Sequence, residues 1–352
     1  MTQTGSTLST EQAQPAQTAA AAGHAASAAL IALDWGTTSL RAYLYDANGA
    51  VLETRASTAG IMNLPRPAAE GGFDAAFDAV VGAWLDRAPE LPVIAAGMVG
   101  SAQGWKEAPY VNAPASADAL VDGIVRVQTA RGVPLNIVPG VLQNGELPNV
   151  MRGEETQIFG ALACAEPSAA GKGLLIGLPG THAKWVMVRD AKIERFDTFM
   201  TGEVFAALSE HTILGRTMLT PDQPDTDAFL RGVRVARDKG KAGVLATIFS
   251  TRTLGLTGQL AREQQPDYLS GLLIGHELSG LEAALAQQQS TLAGSALQLI
   301  GNEALCERYR LALAQFGCHQ ADLVKQATER GLWRIAAQAG LVSEASGAAQ
   351  AT

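Results

Sequence analysis

At 352 residues, 47% hydrophobic and 17% charged, the chain has the make-up of a globular protein long enough for two domains rather than one. A net charge of -8 without a basic run argues against a nucleic-acid partner, and no apolar run reaches the roughly 20 residues of a membrane span. Cys164, Cys306 and Cys318 show no CxxC spacing and read as reduced core thiols of a cytoplasmic protein.

Residues 1–28 are rich in Ala, Gln, Thr and Ser and hold no Lys or Arg. That composition predicts a disordered tail rather than a signal or transit peptide, with residues 344–352 as its counterpart. From Ala29 an apolar run ends in Asp34, the turn Gly36-Thr37-Thr38 follows, and alternating apolar residues resume at Leu40, Ala42 and Leu44. The pattern predicts strand, tight turn, strand, and Asn48-Gly49 closes a second hairpin into 51–55. Backbone N–H groups and hydroxyls in such a turn suit phosphate oxygens, and a carboxylate at the strand's end suits a hydrated magnesium ion. An ordinary β-meander fits the same residues.

Helical spacing over 73–85 follows, then a strand over 92–96 that runs into Gly97-Met98-Val99-Gly100-Ser101. Residues 117–128 are expected to be helical and 136–138 a short strand. A helix is expected over 154–163, with Glu154 and Glu155 in the first turn where the helix dipole favours them. Residues 166–173 read as a linker, placing domains at 29–165 and 172–343. The pattern then restarts: apolar strand 174–178, turn Pro179-Gly180-Thr181, strand 184–188, turn, strand 193–198. Helices are expected over 203–208, 226–238, 244–249, 268–285, 304–316 and 322–339, with one late strand, 296–300, ending at Gly301-Asn302. Two α/β halves that open on the same Gly-Thr hairpin would hold a nucleotide between them.

This two-turn pattern resembles the actin, hexokinase and heat-shock ATPase superfamily. Asp34-Trp35-Gly36-Thr37-Thr38 is similar to its first phosphate motif, Gly180-Thr181-His182-Ala183-Lys184 to its second, and Leu299-Ile300-Gly301-Asn302 to its adenosine motif. Within it the chain most resembles the 2-dehydro-3-deoxygalactonokinase family, through blocks including GMVGSAQGWKEAPYVNAPA, MRGEETQIFGAL and LPGTHAKWVMV spread over about 31–342. The resemblance implies a two-domain actin-like, ribonuclease H-like α/β fold with an interdomain nucleotide cleft. It also implies a kinase that uses ATP and Mg²⁺ to phosphorylate the 6-hydroxyl of a 2-keto-3-deoxy sugar acid in galactonate breakdown. Two departures stand out: Pro179 precedes Gly180 where relatives often carry an acid, and Gly301-Asn302 replaces a double Gly.

Phosphoryl transfer needs positioning, charge neutralisation and an acceptor-orienting group. Asp34 is then the metal-side carboxylate, and Gly36, Thr37, Thr38 and, in second rank, Arg41 approach the phosphates. Gly180, Thr181, His182 and Lys184 form the opposing jaw. Of Glu154 and Glu155 one is expected to face the acceptor hydroxyl, with a weak preference for Glu155. Sugar recognition falls on Met98, Ser101, Gln103, Trp105 and Tyr110, with Lys106 and Arg152 the cations nearest the substrate carboxylate. Trp105 fits simple packing equally well. A phosphatase of the same superfamily and a non-catalytic ATP- or sugar-sensing regulator compete with the kinase, and a homodimer is compatible with the chain.

Overall fold

The computed structural model describes residues 28–163 and 173–343. The expected tails and the linker lie outside the described residues, except that Ala28 opens the first strand and Gly173 precedes the tenth.

The first sheet is built from β1 (Ala28–Trp35), β2 (Leu40–Asp46), β3 (Val51–Ser57), β4 (Val93–Ala96), β6 (Val125–Gln128) and β7 (Pro134–Ile137) in the order β3-β2-β1-β4-β7-β6. Three short strands, β5 (Tyr110–Asn112), β8 (Gly140–Gln143) and β9 (Asn149–Met151), form a separate small sheet. The second large sheet holds β10 (Leu174–Leu178), β11 (Ala183–Arg189), β12 (Lys192–Phe199), β13 (Ala296–Leu299) and β14 (Asp322–Leu323), ordered β12-β11-β10-β13-β14. In both sheets the first strand pairs antiparallel with the second and parallel with the fourth member of the series. The duplication read from the two Gly-Thr turns is therefore a duplication of topology.

The helices are α1 (Gly72–Leu85), α2 (Ala117–Asp122), α3 (Glu154–Leu162), α4 (Thr201–His211), α5 (Thr226–Lys239), α6 (Val244–Thr247), α7 (Ser250–Leu256), α8 (Gln265–Ala286), α9 (Glu303–Ala314) and α10 (Ala327–Gln338). The helix expected over 117–128 stops at Asp122, and 125–128 is instead edge strand β6. Gly123 interrupts the turn, and Val125 and Val127 face the core while Arg126 and Gln128 are exposed, the period-2 pattern of a strand. Residues 322–326, expected in the last helix, hold β14 and the turn before α10.

Alternation decides which side chains each face presents. On the outer face of the first sheet, Ile31, Leu33 and Trp35 pack with Phe73, Phe77 and Trp84 of α1. On its inner face, Leu30, Ala32, Tyr43 and Tyr45 share one core with Ile176, Leu178, Val186 and Val188 of the second sheet, and with α3 and α10. Those two helices cross backbone to backbone. A Cβ at Gly160 would stand 1.9 Å from the Ala327 carbonyl, and one at Gly331 would stand 1.8 Å from that of Thr156. Helix α10, from the end of the chain, also reaches the first sheet, where the Tyr45 hydroxyl donates to the Glu329 carbonyl at 2.9 Å. The outer face of the second sheet packs Leu175, Trp185 and Met187 on Phe229, Leu278 and Leu281. Cys306 and Cys318 are free and buried.

Candidate active site

Both inner-face rows end in charge at the turns. Asp34 pairs in register with Arg41, each two residues outside the Gly36–Ser39 turn, and Lys184 pairs with Leu178 beside the second turn. Cross-strand partners project from the same face, so Asp34 and Arg41 sit where the shared core opens to solvent. Burial raises the Asp34 pKa, Arg41 opposes that, and the nearby carboxylates of Glu329 and Glu154 raise it further. Asp34 thus stands among other carboxylates, with one exposed guanidinium in compensation. Thr37 and Thr38 are exposed at the turn tip.

The start of α3 closes against this point. Gly97 (φ 97°) and Gly153 (φ 108°) both occupy left-handed backbone, and a Cβ on Gly153 would stand 3.2 Å from the Gly97 Cα. A Cβ on Gly97 would in turn stand 2.8 Å from the Trp35 carbonyl, so only glycine lets the three segments meet. The two glutamates that follow diverge, as neighbours on a helix must. Glu155 is fully buried, and both of its carboxylate oxygens accept from the Gly153 N–H, at 2.9 and 2.7 Å. Burial, helped by the Glu154 charge, pushes its pKa up to about 7. Glu154 is partly exposed, accepts from the Arg152 N–H at 3.0 Å and lies 3.7 Å from the buried Lys184 Nζ. Glu154 is thus the carboxylate near Lys184 and Asp34, while Glu155, the one weakly preferred from sequence, is buried against the Gly153 N–H.

Across the opening, Gly180 and Thr181 are pressed onto the start of α4. A Cβ on Gly202 would stand 2.6 Å from the Gly180 carbonyl, and the Glu203 N–H donates to the Thr181 carbonyl at 3.0 Å. His182 is half-exposed and its Nε2 lies 2.5 Å from the Glu203 carboxylate. Gly301 (φ 150°) abuts the same turn, its would-be Cβ 3.3 Å from the Pro179 carbonyl, while Asn302 caps α9 by accepting from the Leu305 N–H at 3.1 Å. Beside this turn opens a cavity of about 540 Å³, lined by Thr181, Thr201, Phe205, Ser270, Arg308 and Tyr309 among others. Arg308 pairs with Asp267 at 2.5 Å and lies over the Phe229 ring.

The 97–110 loop is arranged differently from expectation. Trp105 stacks on Phe73 (centroids 5.7 Å, 11°) and meets Trp35 and Phe77 edge-on, so its ring packs into the outer core. Lys106 donates to the Arg126 carbonyl on edge strand β6 at 3.0 Å, away from the turns. Gln103 and Tyr110 are exposed and Met98 is half-buried. Arg152 is buried, donates from Nη2 to the Ala108 carbonyl at 2.9 Å and lies over the Tyr110 ring. Its Nε and Nη1, and the hydroxyl of buried Ser101, have no hydrogen-bond partner among the described residues. Gly100 leaves room for that guanidinium, since its would-be Cβ lies 3.1 Å from Arg152 Nη1.

Sequence reasoning missed Glu329, Asp267, Ser270, Arg308 and Tyr309. Asp267, Ser270, Arg308 and Tyr309 meet at the cavity from α8 and α9, while Glu329 comes near Asp34 from α10; the signal for such groups is a charge inside an apolar helical stripe, as at Asp267 before Tyr268 and Leu269.

Residues 34–335 match a family model described as 2-keto-3-deoxy-galactonokinase. A 2-dehydro-3-deoxygalactonokinase of Escherichia coli (strain K12) is 38% identical over 294 residues, covering 83% of this chain and 91% of that one. A relative from Rhizobium meliloti described as a probable 2-dehydro-3-deoxygalactonokinase is 38% identical over 293 residues, 81% of this chain and 89% of its own. A crystal structure described as a 2-dehydro-3-deoxygalactonokinase protein from Sinorhizobium meliloti superposes with a TM-score of 0.77 at 36% identity, covering 88% of this chain and 98% of that one.

Proposed function

The chain belongs to the 2-keto-3-deoxy-galactonokinase family, and from that premise we propose that its two turns clamp ATP and that the cleft between them phosphorylates the 6-hydroxyl of 2-dehydro-3-deoxy-D-galactonate. The observation that carries this reading is the approach of Lys184 to Glu154 beside Asp34, which brings a cation and two carboxylates from three segments to one point. Phosphoryl transfer asks for such a set: a cation for the transferred phosphoryl oxygens, a carboxylate on the metal side and a carboxylate toward the acceptor.

Asp34 takes the metal side. Its carboxylate is crowded by Glu154 and Glu329, a surplus of negative charge that a divalent cation relieves. Among the described residues no group of three or more His, Cys, Asp or Glu could hold a metal. Asp34 would therefore be the one carboxylate these residues offer a magnesium ion there, which suits an ion that keeps much of its hydration. Bound there, magnesium would supply charge neutralisation between the phosphates.

Exposed Thr37 and Thr38 face the phosphates from one side, on a turn that the Gly36 N–H closes by donating to the Ser39 carbonyl at 2.9 Å. Gly180, Thr181 and Lys184 face them from the other, and the adjoining cavity takes the nucleoside. Glu154 holds the acceptor hydroxyl in line, and Glu155 anchors the start of the helix that carries it. Arg152 Nε and Nη1 and the Ser101 hydroxyl, buried donors without a partner among the described residues, recognise the sugar acid's carboxylate once the 97–110 loop adjusts around it; an unpaired buried donor costs about 1–3 kcal/mol, so a ligand anion there is favoured. Steady-state kinetics of Glu154→Gln and Glu155→Gln test the assignment. Glu154→Gln is expected to lower kcat about a hundredfold or more, and Glu155→Gln to act mainly on stability. Equal, small losses of kcat would remove Glu154 from the acceptor role.

A further inference from the structure

Helix α8 buries a carboxylate that the reaction outlined above does not use. Glu277 is 3% exposed, yet it accepts from three side chains on three other elements: Trp185 Nε1 on β11 at 2.7 Å, Tyr309 Oη on α9 at 2.8 Å, and Thr201 Oγ1 at the start of α4. Burial raises its pKa and all three donors act against that. Each donor belongs to a piece of the nucleotide half. Trp185 follows Lys184 directly on β11, Tyr309 lies on the helix that Asn302 caps, and Thr201 precedes the Gly202 and Glu203 contacts to Gly180 and Thr181. Thr201 and Tyr309 also line the cavity beside the second turn.

We propose that Glu277 is a positioning residue for ATP: through Thr201, Tyr309 and Trp185 it fixes the second turn, the cavity wall and the strand bearing Lys184 in one geometry. The proposal rests on the reading of that cavity as the nucleoside site. Only the Trp185 N–H is a donor alone; the Thr201 and Tyr309 hydroxyls accept as well as donate. Glutamine would keep the contacts only with its oxygen on Trp185 and its NH₂ group donating to both hydroxyls, so all three bonds lose their charged partner. Loss of one hydrogen bond to a charged partner moves binding by about tenfold or more.

The test compares KM for ATP and KM for the sugar acid in Glu277→Gln and in Tyr309→Phe, which removes a single donor, with thermal stability measured alongside. The expected result for Glu277→Gln is a rise of about tenfold in KM for ATP with KM for the acid within about twofold, and a smaller rise of the same kind for Tyr309→Phe. Should Glu277→Gln fail to fold, Tyr309→Phe decides alone. Unchanged KM values with lowered stability, or equal rises in both KM values, would overturn the proposal. Ser270→Trp, which fills the cavity directly, separates the two readings. If it leaves KM for ATP unchanged, the nucleoside assignment fails. If it raises KM for ATP while the Glu277 network variants do not, only the positioning role fails.

Discussion

The two halves share a strand order but not a division of labour. In the first, the inner-face row ends in Asp34 and Arg41, and the outer face is sealed by Trp35, Phe73, Phe77 and Trp105. In the second, the corresponding row ends in Leu178 and Lys184, and a cavity of about 540 Å³ stands beside the turn. Leu178 lies two residues before Gly180, as Asp34 lies two before Gly36, so an apolar side chain occupies the acid's place. One topology thus yields a jaw that ends in an acid and a base beside a filled flank, and a jaw that ends in a lysine and a leucine beside a hollow one. Duplicated backbone fixes where turns fall, and the side chains at the ends of two strands decide what each turn handles.

The sharpest way to break this contrast is at Asp34. Asp34→Asn keeps the shape and removes the charge, and kcat is expected to fall about a hundredfold to a thousandfold with little change in thermal stability. Near-normal turnover would put the metal-side charge elsewhere. Next in size is the seam between the halves. Gly331→Ala places a methyl group 1.8 Å from the Thr156 carbonyl, and the crossing of α3 and α10 must spread. A loss of about 3 kcal/mol or more in denaturant unfolding is expected. An unchanged midpoint would show that the helices separate freely.

A milder probe compares the two strand-end cations. Lys184→Met is expected to raise KM for ATP and lower kcat, about tenfold overall, whereas Arg41→Met, whose side chain is exposed, is expected to cost less. The reverse ranking would assign the phosphate charge to the first jaw. The smallest expected effect concerns Glu155. Its pKa, raised to about 7 from the ordinary 4.5, means that the folded chain holds a proton where the unfolded chain has released it. Its contribution is complete below about 4.5 and fades as pH rises through 7. The melting temperature of the unmodified chain should therefore fall relative to that of Glu155→Gln between about pH 5 and pH 8. A constant difference would show that Glu155 keeps an ordinary pKa.

Strand–turn–strand in both halves was legible because period-2 alternation and Gly-Thr turns are local signals, whereas the close approach of Gly97, Gly153 and Trp35 that brings α3 to the first turn is a tertiary contact with no local signal. The cavity was not legible, since Thr201, Ser270 and Arg308 come together only through the packing of α4, α8 and α9 on the second sheet. Trp105 and Lys106 look alike in sequence as loop residues near a site. The aromatic cluster on α1 and the Arg126 carbonyl turn both away. The choice between Glu154 and Glu155 needed helix orientation, which one step of about 100° reverses.

The most direct measurement is the product itself. Incubation with ATP, magnesium and 2-dehydro-3-deoxy-D-galactonate, read by phosphorus–proton correlation NMR, is expected to give ADP and one phosphate ester coupled to the protons on carbon 6. Release of inorganic phosphate without an ester, or an ester on another carbon, would contradict the account.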